Sequence, residues 1–481
     1  MRAHELNITL PPGQNGTVYI RVAEVILEAI RAGRIQPGQA LPGVRELADR
    51  LGVHRNTVLA ALRELEAQGW IVARPRSGFF IEDPLPERPV QAQAGAGSGD
   101  RLGFDVPDNL KPITNAANVR VDFSDGVADA RLAPMEALAK AYPRALRLKG
   151  PQLLQASEFQ GLVRLRKMLA AHLAEQRALV RDPAQILLIR STSMAVMLVA
   201  QALIGSESGD VAVENPGHPL VWDTLRQGSA ARLHGLPVDG GGLRVEALED
   251  LLARTRLGLL VLTPQCHFPT GVALAAGRRE RILALAREHR FAILELDPEY
   301  DYLSSPPRPL AADDSTGQVL YCGSLSRLLA PGVRLGFLAV PQALADRFAK
   351  ARQRLDWQGD PILEWAISEL FLDGVITRHL RKVHKACQDR REALFDALRF
   401  ALPDKVGFDP AQGGMALWLH GLGKLADPVR FELWVRSCGI KGIKLRPGAY
   451  YDLDNRPQAA TRLGFMAYTP EELQKAVPLM T

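Results

Sequence analysis

Two clusters of polar residues have types and spacing suited to chemistry. The first is His54-Arg55-Asn56-Thr57. An arginine fork pairs with guanine or phosphate, and an asparagine amide pairs with adenine or phosphate. A threonine hydroxyl bonds a phosphate oxygen. Arg45 lies shortly before this cluster, and Arg74, Arg76, Ser77 and Gly78 follow it in a turn-rich stretch. Flanking arginines suit the backbone of a duplex. The second cluster is "GSLSRLLAPGVRLG", residues 323–336, which holds Ser324, Ser326, Arg327 and Arg334. Its hydroxyls and guanidinium groups suit an anion. A guanidinium stays charged up to a pKa above about 12 and is a poor nucleophile. Such a segment binds, but it does not form an imine with an aldehyde.

The first cluster needs a helix start to present it. "TVYIRVAEVILEAIRAG" sets Val18, Val22, Val25, Ile26 and Ile30 near helical spacing and ends at Gly33. "GVRELADRLG" predicts a short second helix closed by Gly52. "HRNTVLAALRELEAQG" predicts a third, with Val58, Leu62 and Leu65 inward and Gly69 as its stop. "WIVARPRSGFFIED" predicts a β-hairpin around "RPRSG". A short helix, a tight turn and a second helix headed by polar residues make a helix-turn-helix candidate. Residues 1–83 hold ten arginines, no lysines and nine acids, so net charge does not single out DNA. Clustering does, because Glu64 and Glu66 sit on the far half of the third helix.

The second cluster needs a sheet. "QILLIRS", "DVAVEN", "LGLLVLTP", "FAILELD", "QVLYCGS" and "RLGFLAVP" are buried-strand candidates, with amphipathic helices such as "RRERILALAREHR" between most of them. That alternation predicts a mainly parallel sheet with helices on both faces. "ITRHLRKVHKACQDRREALFDALRFAL" predicts one long helix, followed by a small α+β tail. Between the two parts, "EDPLPERPVQAQAGAGSGDRLGFDVPDNLKP" has the Pro/Gly/Ala content of a tether. The expected organisation is a helix-turn-helix unit at 1–83, a flexible linker at 84–115 and a body at 116–481. The body divides into a large part at about 145–345 and a small one at about 346–481.

The chain of 481 residues has room for two to four domains. It has no apolar run of membrane-spanning length and no secretory pattern at its start. Its four scattered cysteines fit neither a disulfide framework nor a zinc site. A reducing cytoplasm, with no membrane association, is the expected setting.

The segment "PGQALPGVRELADRLGVHRNTVLAALRELEAQGWIVARPRSGFFIED" closely resembles the winged helix-turn-helix of the GntR regulators. Two departures stand out. The wing reads Arg76-Ser77-Gly78 without its first glycine, and His54 stands where serine is common. The body resembles a fold-type-I aminotransferase domain through "VENPGHP", "LTPQCHFPTG", "GSLSRLLAPGVRLGFLAVP", "HLRK" and "TRLGF". The two together resemble the MocR/GabR branch. That resemblance implies operator DNA as a partner, a homodimer paired head to tail with domain swapping, and an unidentified small-molecule effector.

It also implies roles for single residues. Arg327 stands where the enzymes carry the imine-forming lysine. The ring nitrogen of pyridoxal phosphate takes a carboxylate in the family, and "ELDPEYD" allows two alignments. Without a gap Leu296 replaces it and Pro298 replaces a tyrosine; with a gap Asp297 and Tyr300 keep the spacing. Ser191 and Thr192, with Ser324, Ser326 and Arg334, match the phosphate cup, although its usual glycine is absent. Arg462 matches the arginine that holds a substrate carboxylate. The resemblance therefore implies a regulator with no covalent cofactor and no catalytic residue. Noncovalent pyridoxal phosphate is one alternative. A working aminotransferase is another, and Arg327 counts against it.

Overall fold

The computed structural model describes residues 10, 17–86, 119–155, 158–204, 209–303, 305–409 and 413–481. The chain divides into two compact units, Met1–Ile113 and Thr114–Thr481. Most of the expected linker, 87–115, lies outside the described residues.

The front unit has three helices, α1 (Val18–Arg31), α2 (Val44–Leu51) and α3 (Arg55–Ala67), and a hairpin of β1 (Ile71–Arg74) and β2 (Gly78–Ile81). The apolar spacing explains the packing. Val22, Ile26, Leu47, Val58 and Leu62 are fully buried in one core. Val18, expected inward, is instead exposed at the first position of α1. The turn between α2 and α3 depends on Gly52, whose φ of 65° a side chain resists. In the hairpin Ile71 lies opposite Ile81 and Arg74 opposite Gly78, and Ala40 bridges to Phe80.

The body is built on eight strands: β3 (Ile186–Ile189), β4 (Asp210–Asn215), β5 (Arg232–Asp239), β6 (Gly242–Leu243), β7 (Leu257–Leu262), β8 (Ala292–Leu296), β9 (Val319–Ser324) and β10 (Gly336–Ala339). Their order is β3-β10-β9-β8-β7-β4-β5-β6. Strands β9, β8, β7, β4 and β5 run parallel, while β10 lies antiparallel between β3 and β9. The apolar runs exist because helices cover both faces. One face buries Leu260, Ile293 and Phe337, and the other Leu259, Leu294 and Leu338.

A smaller core gathers Leu394, Leu398, Phe431, Leu463 and Phe465 around helix Val375–Ala401 and the antiparallel strands Val406–Phe408, Ala416–Gly421 and Ala460–Gly464. Strand Val121–Asp122 pairs with Ile443–Lys444, and Phe123 joins this core, so the start of the body packs with its end. Phe348, Ile367 and Leu370, expected in the small part, pack instead in the cores that cover the large sheet.

Candidate functional site

In the front unit, the polar cluster heads α3 as expected. His54 is its N-cap, and the ring Nδ1 accepts the Asn56 N–H at 3.3 Å. A ring that closes the first turn fixes the helix start, as serine does elsewhere. Arg55 and Asn56 are exposed and Thr57 is half-buried. Arg45 on α2 and Arg74, Arg76, Ser77 and Gly78 on the hairpin are exposed too. Arg76 takes a φ of 64° and Gly78 a φ of 95°, which turns the hairpin tip. The Arg74 guanidinium lies 4.4 Å over the Phe80 ring. Glu46 engages Arg50 at 2.5 Å, whereas no acid among the described residues pairs with Arg45, Arg55 or Arg76. Their charge faces solvent, available to phosphate or base edges.

In the body, a cavity of about 280 Å³ opens beside the carboxyl ends of β8 and β9 and the start of helix Thr192–Val199. Open α/β sheets bind ligands at such strand ends. Ser191, Thr192, Ser324, Ser326, Arg327 and Arg334 all line it. Ser191 caps its helix by accepting the Met194 N–H at 3.1 Å. Ser324 accepts the Arg327 N–H at 3.2 Å. The Ser326 hydroxyl donates to the Leu335 carbonyl at 3.0 Å and accepts its N–H at 2.7 Å, so it closes a loop. Arg334 is exposed, in a left-handed conformation with φ 51°.

Arg327 is held from several sides. Its guanidinium donates to the Gly126 carbonyl and lies 3.5 Å from Asp125. The Tyr302 hydroxyl donates to its carbonyl at 2.5 Å. Burial alone would favour the neutral form, but Asp125, Glu299 and Tyr302 hold the guanidinium above its ordinary pKa. No lysine lines the cavity among the described residues. Lys140, Lys149 and Lys167 lie on helices Met135–Leu153 and Val163–Arg177.

Three expected site residues do not line the cavity. Asp297 is buried, 2.6 Å from Arg177, and accepts the Tyr321 hydroxyl at 2.9 Å. Tyr300 is buried with the Arg177 guanidinium 4.8 Å over its ring. The two alignment candidates part here: Leu296, the last residue of β8, lines the cavity, whereas Asp297, just beyond the strand, pairs with Arg177. Arg462 is also buried, 2.7 Å from Glu299, and donates to the Pro269 carbonyl at 3.1 Å.

The further lining residues that the sequence reading did not assign to the site include Asp125, His218, Phe268 and Glu299. The His218 and Phe268 rings stack with centroids 4.2 Å apart. Burial, with Arg327 and Arg462 nearby, lowers the His218 pKa to about 4 against the pull of Asp125, so the imidazole is neutral. Burial beside Glu299 pushes the Cys266 thiol up, away from a thiolate. A signal for Glu299 was present: the Asp-x-x-Tyr spacing counted from Leu296 lands on it.

These residues do not fit covalently held pyridoxal phosphate. Among the described residues no lysine lines the cavity, so the lining offers no amine for an imine, and Leu296 lines it where the ungapped alignment expects a ring-nitrogen carboxylate. Hydroxyls and arginines suited to an anion remain.

Residues 121–478 match the family described as "Aminotransferase class I and II". The chain belongs to that family. Residues 18–81 match "Bacterial regulatory proteins, gntR family", so the aminotransferase-family body follows a GntR helix-turn-helix unit. Among relatives, "Probable rhizopine catabolism regulatory protein MocR" of Rhizobium meliloti is 27% identical over 467 residues, covering 96% of this chain and 92% of that protein. "HTH-type transcriptional regulator TauR" of Rhodobacter capsulatus is 27% identical over 482 residues, covering 97% and 96%. Among solved structures, the α-aminoadipate aminotransferase LysN of Thermus thermophilus superposes with a TM-score of 0.68 at 26% identity, over 75% of this chain and 90% of that one. The aminotransferase-family fold is thus shared with enzymes, and the two-part organisation with regulators.

Proposed function

We propose that the protein is a DNA-binding transcription regulator whose aminotransferase-like body pairs two copies and holds a small effector without covalent pyridoxal-phosphate chemistry. The GntR unit supplies the DNA reader. Arg55 and Asn56 meet base edges, and Arg45, His54, Thr57, Arg74, Arg76, Ser77 and Gly78 meet the backbone or groove wall. The unit joins the body through the tether at 84–115, and the regulator works where the DNA is, in the cytoplasm.

One observation carries the reading of the body. Among the described residues the cavity is lined by Arg327, pinned by Asp125 and Gly126, and by no lysine. Guanidinium does not form the imine that transamination needs. The cavity can still bind. Ser191, Thr192, Ser324 and Arg334 offer hydroxyls and charge to an anionic group, and His218 and Phe268 offer apolar faces. The same cup supports a second reading, in which pyridoxal phosphate is the effector and binds without a covalent bond. Titration of pyridoxal phosphate against the purified protein separates the two. Saturable binding without a visible imine band favours the cofactor as signal. No binding leaves a different effector. A stable imine band overturns the proposal.

A further inference from the structure

Glu299 puts a carboxylate of the protein itself at the cavity wall. Only 5% of the residue is exposed, yet it lines the cavity. One carboxylate oxygen lies 2.7 Å from the Arg462 guanidinium, and the other accepts the Met415 N–H at 3.0 Å. Arg462 is 1% exposed. Its Nη1 donates to the Pro269 carbonyl, its face lies 4.4 Å over the Phe268 ring, and its Nε has no partner among the described residues. Arg462 thus sits just behind the wall, with both Nη1 and Nη2 already engaged.

We propose that Glu299 is a built-in occupant of a latent carboxylate site on Arg462, and that it makes the cavity select against ligands bearing a carboxylate. The inference rests on the reading of this cavity as a noncovalent ligand site. The physics runs through the pair. An arginine fork binds carboxylate best when two donors are open to it. Here a ligand carboxylate has to displace Glu299, which leaves that acid buried without its partner. Removing one member of a buried ion pair is strongly unfavourable. The free cavity therefore presents its anion-binding hydroxyls and arginines at one end and a filled carboxylate site at the other. A ligand that keeps its charge at the hydroxyl end meets no penalty at Glu299. An α-amino or α-keto acid that needs Arg462 does.

The test uses the full-length protein and two probes, pyruvate and inorganic phosphate, followed by isothermal titration calorimetry. Wild type is expected to give no saturable pyruvate binding at millimolar concentration. Glu299→Gln keeps an acceptor for the Met415 N–H and removes the charge, so Arg462 is left to an external carboxylate. Pyruvate affinity should rise at least about tenfold. The double variant Glu299→Gln with Arg462→Gln should lose that gain. If Glu299→Gln does not fold, Glu299→Ala carries the test, because it removes the carboxylate altogether; pyruvate binding should rise there too. Pyruvate binding by wild type as tight as by the folded variant overturns the proposal, as does a gain that survives Arg462→Gln. Inorganic phosphate reports the hydroxyl end separately. Phosphate bound by wild type with no pyruvate gain in the variants defeats this inference alone. A pyruvate gain without phosphate binding defeats the hydroxyl-cup reading and leaves the Glu299 assignment standing.

Discussion

Arg55 begins α3, is exposed, and pairs with no acid among the described residues. Arg55→Ala should therefore leave the front unit folded and weaken operator binding by roughly 1–3 kcal/mol, the worth of one good base pairing. Fluorescence anisotropy over a salt series checks this. A base contact shows as a loss confined to the operator, a phosphate contact as an equal loss on all sequences with a salt slope shallower by about one unit. Unchanged affinity would remove Arg55 from the interface. At the other site, Arg327→Lys adds an amine to the cavity lining, but on the proposed reading, in which Leu296 takes the ring-nitrogen position, the ring still lacks its carboxylate. Absorbance titration with pyridoxal phosphate should show no tight complex; a tight stoichiometric one would show that another group serves the ring. At this scale the sequence was most legible where a residue heads a helix. Ser191 and Ser324 cap helices as their types suggest, and the His54 ring caps α3 where serine is common. Asp297 and Leu296 were left as alternatives because one gap in the count exchanges them, and sequence spacing does not reveal that Asp297 pairs with Arg177.

The elements of the body bury acids near strand ends and, for Glu364, in the first turn of helix Pro361–Leu372. Burial raises Glu214 to about 8, Glu295 to about 7, Asp301 to about 8 and Glu364 to about 7. Their folded values lie above the unfolded ones, so the folded state takes up protons. The stability they contribute is present at low pH and lost as pH rises through the folded values. Buried imidazoles act in the opposite sense lower down. Burial lowers His172 and His218 to about 4 and His267 to about 3, so their contribution is lost as pH falls below 6.5 towards these values. Above about pH 6.5 the carboxyls act alone, and the urea midpoint of the protein should fall between about pH 6.5 and 8. A midpoint that climbs across that window would contradict the burial of these acids. Six of the eight strands of the sheet were legible as apolar runs, because helices cover both faces of the sheet. Strand β5 was not. It reads "RLHGLPVD", with Gly235 and Pro237 inside, and it lies near the sheet edge, where such residues are tolerated. The antiparallel direction of β10 left no mark in its composition.

At the scale of the whole molecule, the change from apolar periodicity to a Pro/Gly/Ala stretch made the two-part organisation legible. A stretch without apolar spacing carries no packing pattern, so the boundary alone was legible. If the body carries the pairing, as proposed, limited proteolysis should cut first between residues 84 and 112 and release a body that is dimeric in sedimentation. A monomeric fragment would place the pairing elsewhere. Among the described residues no helix is long and apolar enough to cross a membrane. The account as a whole depends on an aminotransferase-family body that binds without imine chemistry. Borohydride reduction of the full-length protein with pyridoxal phosphate, followed by peptide mapping in a mass spectrometer, tests this most directly. The account predicts no cofactor at residue 327 and no stoichiometric adduct on any lysine reaching the cavity, because a guanidinium offers no amine to the aldehyde. A stoichiometric, borohydride-stable adduct on a lysine in that cavity would contradict it.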